Sequence, residues 1–129
     1  MLIPVNPPNT APSSISQGVI LQGKGLFVSS GHVAVDEKGE IVSDDFETQV
    51  TAVFDSIGRT LKAAGLGFDC VARLVTYVTD YHPSMVDTIR TVRSRYISKE
   101  LPPASVLVAA AALYDPRLRI EVEVIAVVP

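Results

Sequence analysis

The stretch LPPASVLVAAAALYDPRLRIEVEVIAVVP, residues 101–129, decides the fold. Two apolar runs meet at a turn around Asp115 and Pro116. The second run, residues 119–128, alternates. Ile120, Val122 and Val124 fall on one face and Arg119, Glu121 and Glu123 on the other, because successive strand side chains point to opposite sides. The face with two carboxylates continues into Ile125 and Val127. Either it meets water at one end, or the carboxylates are held in a site. The first run, residues 105–113, carries no charge. Val106, Val108, Ala110 and Ala112 lie on one side, and Leu107, Ala109 and Ala111 on the other. A strand apolar on both faces calls for cover on both.

Working outward, residues 83–100 read as a helix opened by Pro83, with Met85 or Val86, Ile89, Val92 and Tyr96 as its apolar stripe. Arg90, Arg93, Arg95 and Lys99 gather toward its end, where cations suit the macrodipole, and the face they form reads as solvated. Residues 71–79 are rich in β-branched side chains and predict a strand. Before them Phe46, Val50, Val53, Phe54, Ile57, Leu61 and Ala64 recur at helical spacing. Asp44 with Glu47 fits a capping box, and Gly65 the position just past the end. Residues 19–22 and 26–29, around Gly23-Lys24-Gly25, predict a hairpin, with a short strand at 32–35. Residues 1–15 contain Pro4, Pro7, Pro8 and Pro12 and read as an extended lead-in.

The order β-β-β-α-β-α-β-β fits an α+β domain spanning residues 1–129, a mixed sheet with two helices on one face. Two helices cover one side of the uncharged strand. The other side predicts an oligomer whose sheets pack against each other, with a closed monomeric barrel as the competing arrangement.

The totals narrow the function classes. The chain has 129 residues, 47% hydrophobic and 19% charged, with a mean hydropathy of +0.31. That argues against disorder and suits one domain. No apolar run reaches the ~20 residues of a membrane helix. The first residues lack the charged start and long apolar core of a signal peptide, and a cytoplasmic location is expected. A net charge of −3 gives no electrostatic reason to expect a nucleic-acid partner.

Few side chains suggest chemistry. Glu121 and Glu123 are either a solvated strand face or, at a subunit boundary, carboxylates suited to proton transfer. His32 follows Ser29-Ser30-Gly31 and is a proton donor or a satisfied polar group. Neither His32 nor His82 has partners at metal-ligand spacing, so no metal is expected. Cys70, the single cysteine, has apolar neighbours and reads as core. Gly23-x-Gly25 lacks the following helix of a dinucleotide fingerprint, and there is no Walker A sequence or Gly-x-Ser-x-Gly elbow.

From Ser16 onward the chain resembles the YjgF/RidA family, the reactive intermediate deaminases, also called endoribonuclease L-PSP. The carriers are Ser16-Gln17-Gly18, the run Leu26-Phe27-Val28-Ser29-Ser30-Gly31-His32, Leu61-Lys62-Ala63-Ala64-Gly65-Leu66, Val75-Thr76-Tyr77-Val78-Thr79-Asp80, Pro102-Pro103-Ala104-Ser105 and residues 120–127. The resemblance implies a homotrimer of chorismate-mutase-like fold with three inter-subunit clefts. It implies cofactor-free hydrolysis of imines and enamines, such as 2-aminoacrylate, to a keto acid and ammonia. Family members of this kind read Pro-Ala-Arg-Ser, and the arginine grips the substrate carboxylate. Here Ser105 stands at that place, Ile15 replaces a pocket tyrosine, and Arg90 falls near a helix asparagine. Ser30, Gly31 and Glu121 match the family pattern. Glu121 is the implied catalytic residue; Ser30, Gly31, Ser105, Arg90 and Ile15 are the implied substrate-binding set. Two readings therefore stand: a deaminase for substrates unlike the usual 2-imino acids, and a ligand-binding member without catalysis. A third, ribonuclease or translation inhibitor, rests on the older family name.

Overall fold

A computed structural model describes residues 1–11 and 13–129, so Pro12 of the lead-in lies outside the described residues. The strands are β1 (Leu2–Val5), β2 (Gly18–Leu21), β3 (Gly25–Val28), β4 (His32–Val33), β5 (Val71–Val78), β6 (Ala104–Ala109) and β7 (Ile120–Val128). The helices are α1 (Phe46–Ala63) and α2 (Ser84–Arg93). The main sheet runs β3-β7-β5-β6, and β4 also pairs with β7. β6 is parallel to β5; the other pairings are antiparallel. The chain is thus the expected α+β mixed sheet with two helices.

The alternation of β7 sorts the sheet into two faces. Ile120, Val122, Val124 and Ala126 join Leu74 and Val78 of β5 in a core with Val50, Val53, Phe54 and Ile57 of α1 and Ile89 and Val92 of α2. The other face carries Glu121, Glu123 and Ile125 beside Arg73, Val75 and Tyr77, and neither helix lies over it. A ribbon of β1 and β2 covers one end, where Leu2 and Val19 pack on Ala72 and Val127.

Several boundaries differ from the sequence reading. The hairpin does not form: β2 pairs with β1, and β3 with β7. The glycines between them serve close approach instead. A Cβ on Gly23 would lie 2.2 Å from the Val128 carbonyl oxygen, and Lys24 N donates to that oxygen. The helix cap is Asp45, one residue later than expected; its carboxylate accepts from Thr48 N at 3.0 Å, while Glu47 pairs with Arg95. Gly65, at φ +74°, closes α1 as expected. Its N–H bonds Lys62 O, and that of Leu66 bonds Leu61 O. α2 stops at Arg93, and the chain tightens into turns bonded Arg95 to Val92 and Tyr96 to Arg93. β6 ends at Ala109 because β5, the strand it pairs with, ends at Val78.

Candidate functional site

Glu121 lies on the helix-free face, half-buried in the single chain. Its setting comes from a break in the sheet. β3 pairs with one end of β7 and β4 with the other, so Ser29, Ser30 and Gly31 cross the middle unpaired as a ladder. Ser29 fixes the crossing: its Oγ accepts from Val124 N at 2.9 Å and donates to Ser30 O at 2.8 Å. Gly31 is thereby pressed against the carboxylate. A Cβ at Gly31 would stand 2.7 Å from Glu121 Cδ and 2.8 Å from Oε2, a contact no other residue type accommodates without displacing the acid.

Tyr77 joins this group. It is the register partner of Glu121 on β5, and its hydroxyl donates to Glu123 Oε1 at 3.0 Å. That bond, then desolvation and the two glutamate charges, raise the Tyr77 phenol above its ordinary pKa, so it acts as a hydrogen-bond donor. Sequence reasoning passed over Tyr77. The odd-numbered alternation of β5 was the available signal.

His32 turns away from Glu121. It pairs with Val122, on the helix side, and Nδ1 lies 2.8 Å from Ser56 Oγ of α1. Burial, and next the charge of Arg59, lower its pKa below 6.5. It is a satisfied structural group.

The remaining expected residues form a second set. Ser105 pairs with Leu74, hence it faces the helix side, whereas Glu121 shares the opposite face with Tyr77 and Val108. A cavity of about 130 Å³ brings Ser105 together with Ile15, Arg90, Arg93 and Leu107. Ile15 reaches it because Ser16 anchors the N-terminal segment beside β6, its N–H donating to Pro103 O and its hydroxyl to Pro102 O. One chain therefore holds two half-sites on opposite faces of its sheet: Ser30, Gly31, Glu121 and Tyr77, and then Ile15, Arg90 and Ser105.

Arg93 corrects the reading of the α2 arginines as solvated. It is 9% exposed, and Nη2 donates to Ser14 Oγ at 2.8 Å. Its position four residues after Ile89 places it on the apolar stripe.

Comparison with known proteins sets this geometry in a family. The family model for endoribonuclease L-PSP matches residues 9–128. The chain belongs to the endoribonuclease L-PSP family. Its similarity extends to the RutC family protein YjgH of Escherichia coli K12, 34% identical over 110 residues, covering 85% of this chain and 80% of that protein. Among solved structures it is similar to the Rid family protein YyfB of Yersinia pestis, at a TM-score of 0.90 and 28% identity over 98% of both chains. It is also similar to Rv2704 of Mycobacterium tuberculosis, a member of the YjgF/YER057c/UK114 family, at a TM-score of 0.67 and 28% identity, covering 89% of this chain and 87% of that one. The family resemblance drawn from the sequence thus holds over nearly the whole chain. No helix among the described residues is long and apolar enough to cross a membrane.

Proposed function

We propose that this L-PSP family member assembles as a homotrimer of chorismate-mutase-like arrangement and hydrolyses small imines or enamines in clefts between copies. The observation that carries the reading is Glu121 held against the Gly31 backbone on the face of the sheet that neither helix covers. The Glu121 half-site of one copy and the Ser105 half-site of its neighbour would form opposite walls of one cleft. In the reaction, an enamine first tautomerises to the imine. Water then adds to the imine carbon while Glu121 takes one of its protons and delivers it to nitrogen. The hydroxyl proton of the resulting carbinolamine follows through Glu121 to the amine as the C–N bond breaks, releasing a carbonyl compound and ammonia. Tyr77 and Glu123, bonded to each other, hold the neighbouring surface in register.

Ser105 supports a second reading, a binding member without deamination. A serine offers one hydroxyl where a guanidinium offers a bidentate fork. Losing one charge-assisted bond, about 1.5–3 kcal/mol, weakens an anionic ligand roughly 10- to 100-fold. The experiment is to generate 2-iminopropionate with an amino-acid oxidase and follow its decay. Acceleration by the native chain that falls about 10²-fold or more in Glu121→Gln is expected for the enzyme. No acceleration by the native chain, with a gain in Ser105→Arg, selects the binding reading for that compound. Activity unchanged in Glu121→Gln removes the acid–base role.

A further inference from the structure

The cavity beside Ser105 does not end at Arg90. It continues along α2 into a larger cleft of about 410 Å³, and the two share Ser13, Ser14, Arg90 and Arg93. Lys99 adds a third cation, and Ser94 and Ser98 add hydroxyls. Among the described residues no carboxylate lines either part.

The charge balance inside this groove is unusual. Arg93 is nine-tenths buried, yet among the described residues the ion pairs are Arg95–Glu47 and Arg117–Asp115. Of its five N–H donors, one is spent on Ser14 Oγ. Burial first, and then the like charge of Arg90, push the Arg93 guanidinium below its ordinary pKa. A guanidinium stays protonated even so. Folded proteins pair charges that they bury, because an unpaired one loses its hydration without return. Two guanidinium groups thus face one groove, and among the described residues of a single copy no acid lines it to balance them.

We propose that this groove is an oxyanion subsite. Arg93 and Arg90 grip a phosphate or carboxylate group of a small molecule, and serine hydroxyls complete its shell. Arg–oxyanion bonds are charge-assisted and planar, which suits either head group. The inner end of the groove opens at Ser105. On the cleft reading, on which this extension alone rests, the substrate's anion is held along α2 instead of by β6. Favoured substrates are then imines or enamines whose phosphate or carboxylate is separated from the reacting carbon by several atoms.

The test titrates inorganic phosphate, and separately acetate, into the full chain at low ionic strength, followed by calorimetry. Saturable binding of one or both is expected, weakened about tenfold or more in Arg93→Gln and in Arg90→Gln. It is expected unchanged in Arg95→Gln, whose side chain pairs with Glu47 outside the groove. Should Arg93→Gln fail to fold, the exposed Arg90 decides alone. Absence of saturable binding by the native chain overturns the subsite, as does equal binding by Arg90→Gln or equal weakening by Arg95→Gln. Glu121→Gln separates this from catalysis, since it is expected to bind phosphate normally while losing imine hydrolysis. In the imine assay, saturating phosphate is expected to slow an anionic substrate competitively. A rate unaffected by phosphate retracts the substrate extension and leaves the subsite standing.

Discussion

A single glycine holds the acid in place. Gly31 leaves room for Glu121 that one methyl group would fill, at 2.7 Å from the carboxyl carbon. Gly31→Ala is therefore expected to swing Glu121 away and to lower imine hydrolysis at least tenfold, while costing only about 1–3 kcal/mol in stability. Activity equal to the native chain in a folded Gly31→Ala protein would refute that placement. His32 makes a different prediction. Its pKa is lowered by burial and then by Arg59, so the neutral ring belongs to the fold. The stability it adds is present above pH 6.5 and is lost as pH falls through the lower folded pKa. Proton NMR should give a His32 midpoint below 6.5, and His32→Gln should lose less thermal stability than the native chain between pH 7 and pH 5. Of these residues Glu121 was legible in the sequence, because an acid repeating on an aliphatic strand is conspicuous. Arg93 was hidden, since arginines near a helix end are expected in water. The spacing Ile89 to Arg93 carried the contrary signal.

At the scale of elements, periodicity located both helices and the three long strands, but it could not assign partners. The residues around Gly23 have the composition of a hairpin turn, yet β3 finds β7 nearly a hundred positions away. Pairing over such distances depends on tertiary packing, which a local pattern does not encode. The same limit hid the join between α1 and the start of β7. Gln49 is fully buried on the apolar face of α1. Its Nε2 donates to Ser43 O at 2.9 Å and Arg117 O at 2.8 Å, and its Oε1 accepts from Arg119 N at 2.9 Å. One amide thus fixes where β7 begins, and with it the phase that puts Glu121 on the open face. Gln49→Leu keeps the volume but strands three backbone groups. A loss of about 2–3 kcal/mol is expected in urea unfolding, seen as a lower midpoint at constant slope. A loss below about 0.5 kcal/mol would mean that the amide bonds do not secure this junction.

The whole molecule leaves apolar surface that a lone copy has no means to cover. Val28 is 68% exposed and Leu26 62%, and Val106 and Val108 of the edge strand β6 are 40% and 43% exposed. Burying one such side chain fully is worth roughly 1.5–3 kcal/mol. Several on one face therefore favour self-association strongly, whereas a solitary fold would keep them in water. Substitution at Val28 tests this, because it sits on the open face next to Ile125, in a small cavity with Glu123 and Arg73. In a lone chain Val28→Asp exchanges one exposed side chain for another and should leave the circular dichroism spectrum unchanged. In a packed assembly it buries a second carboxylate in a cavity where Arg73 and Glu123 already balance, so it loses hydration and leaves a net negative charge. Sedimentation of the native chain is expected at three times 13.8 kDa, and of Val28→Asp at one. The variant keeps Glu121, Gly31, Ser105 and Arg90, so its catalytic groups are all present. If the two half-sites act across a boundary between copies, the dissociated variant loses imine hydrolysis and regains it only at concentrations that restore the assembly. Full activity in the dissociated protein would mean that each chain completes its own site, and the cleft between copies would have to be given up.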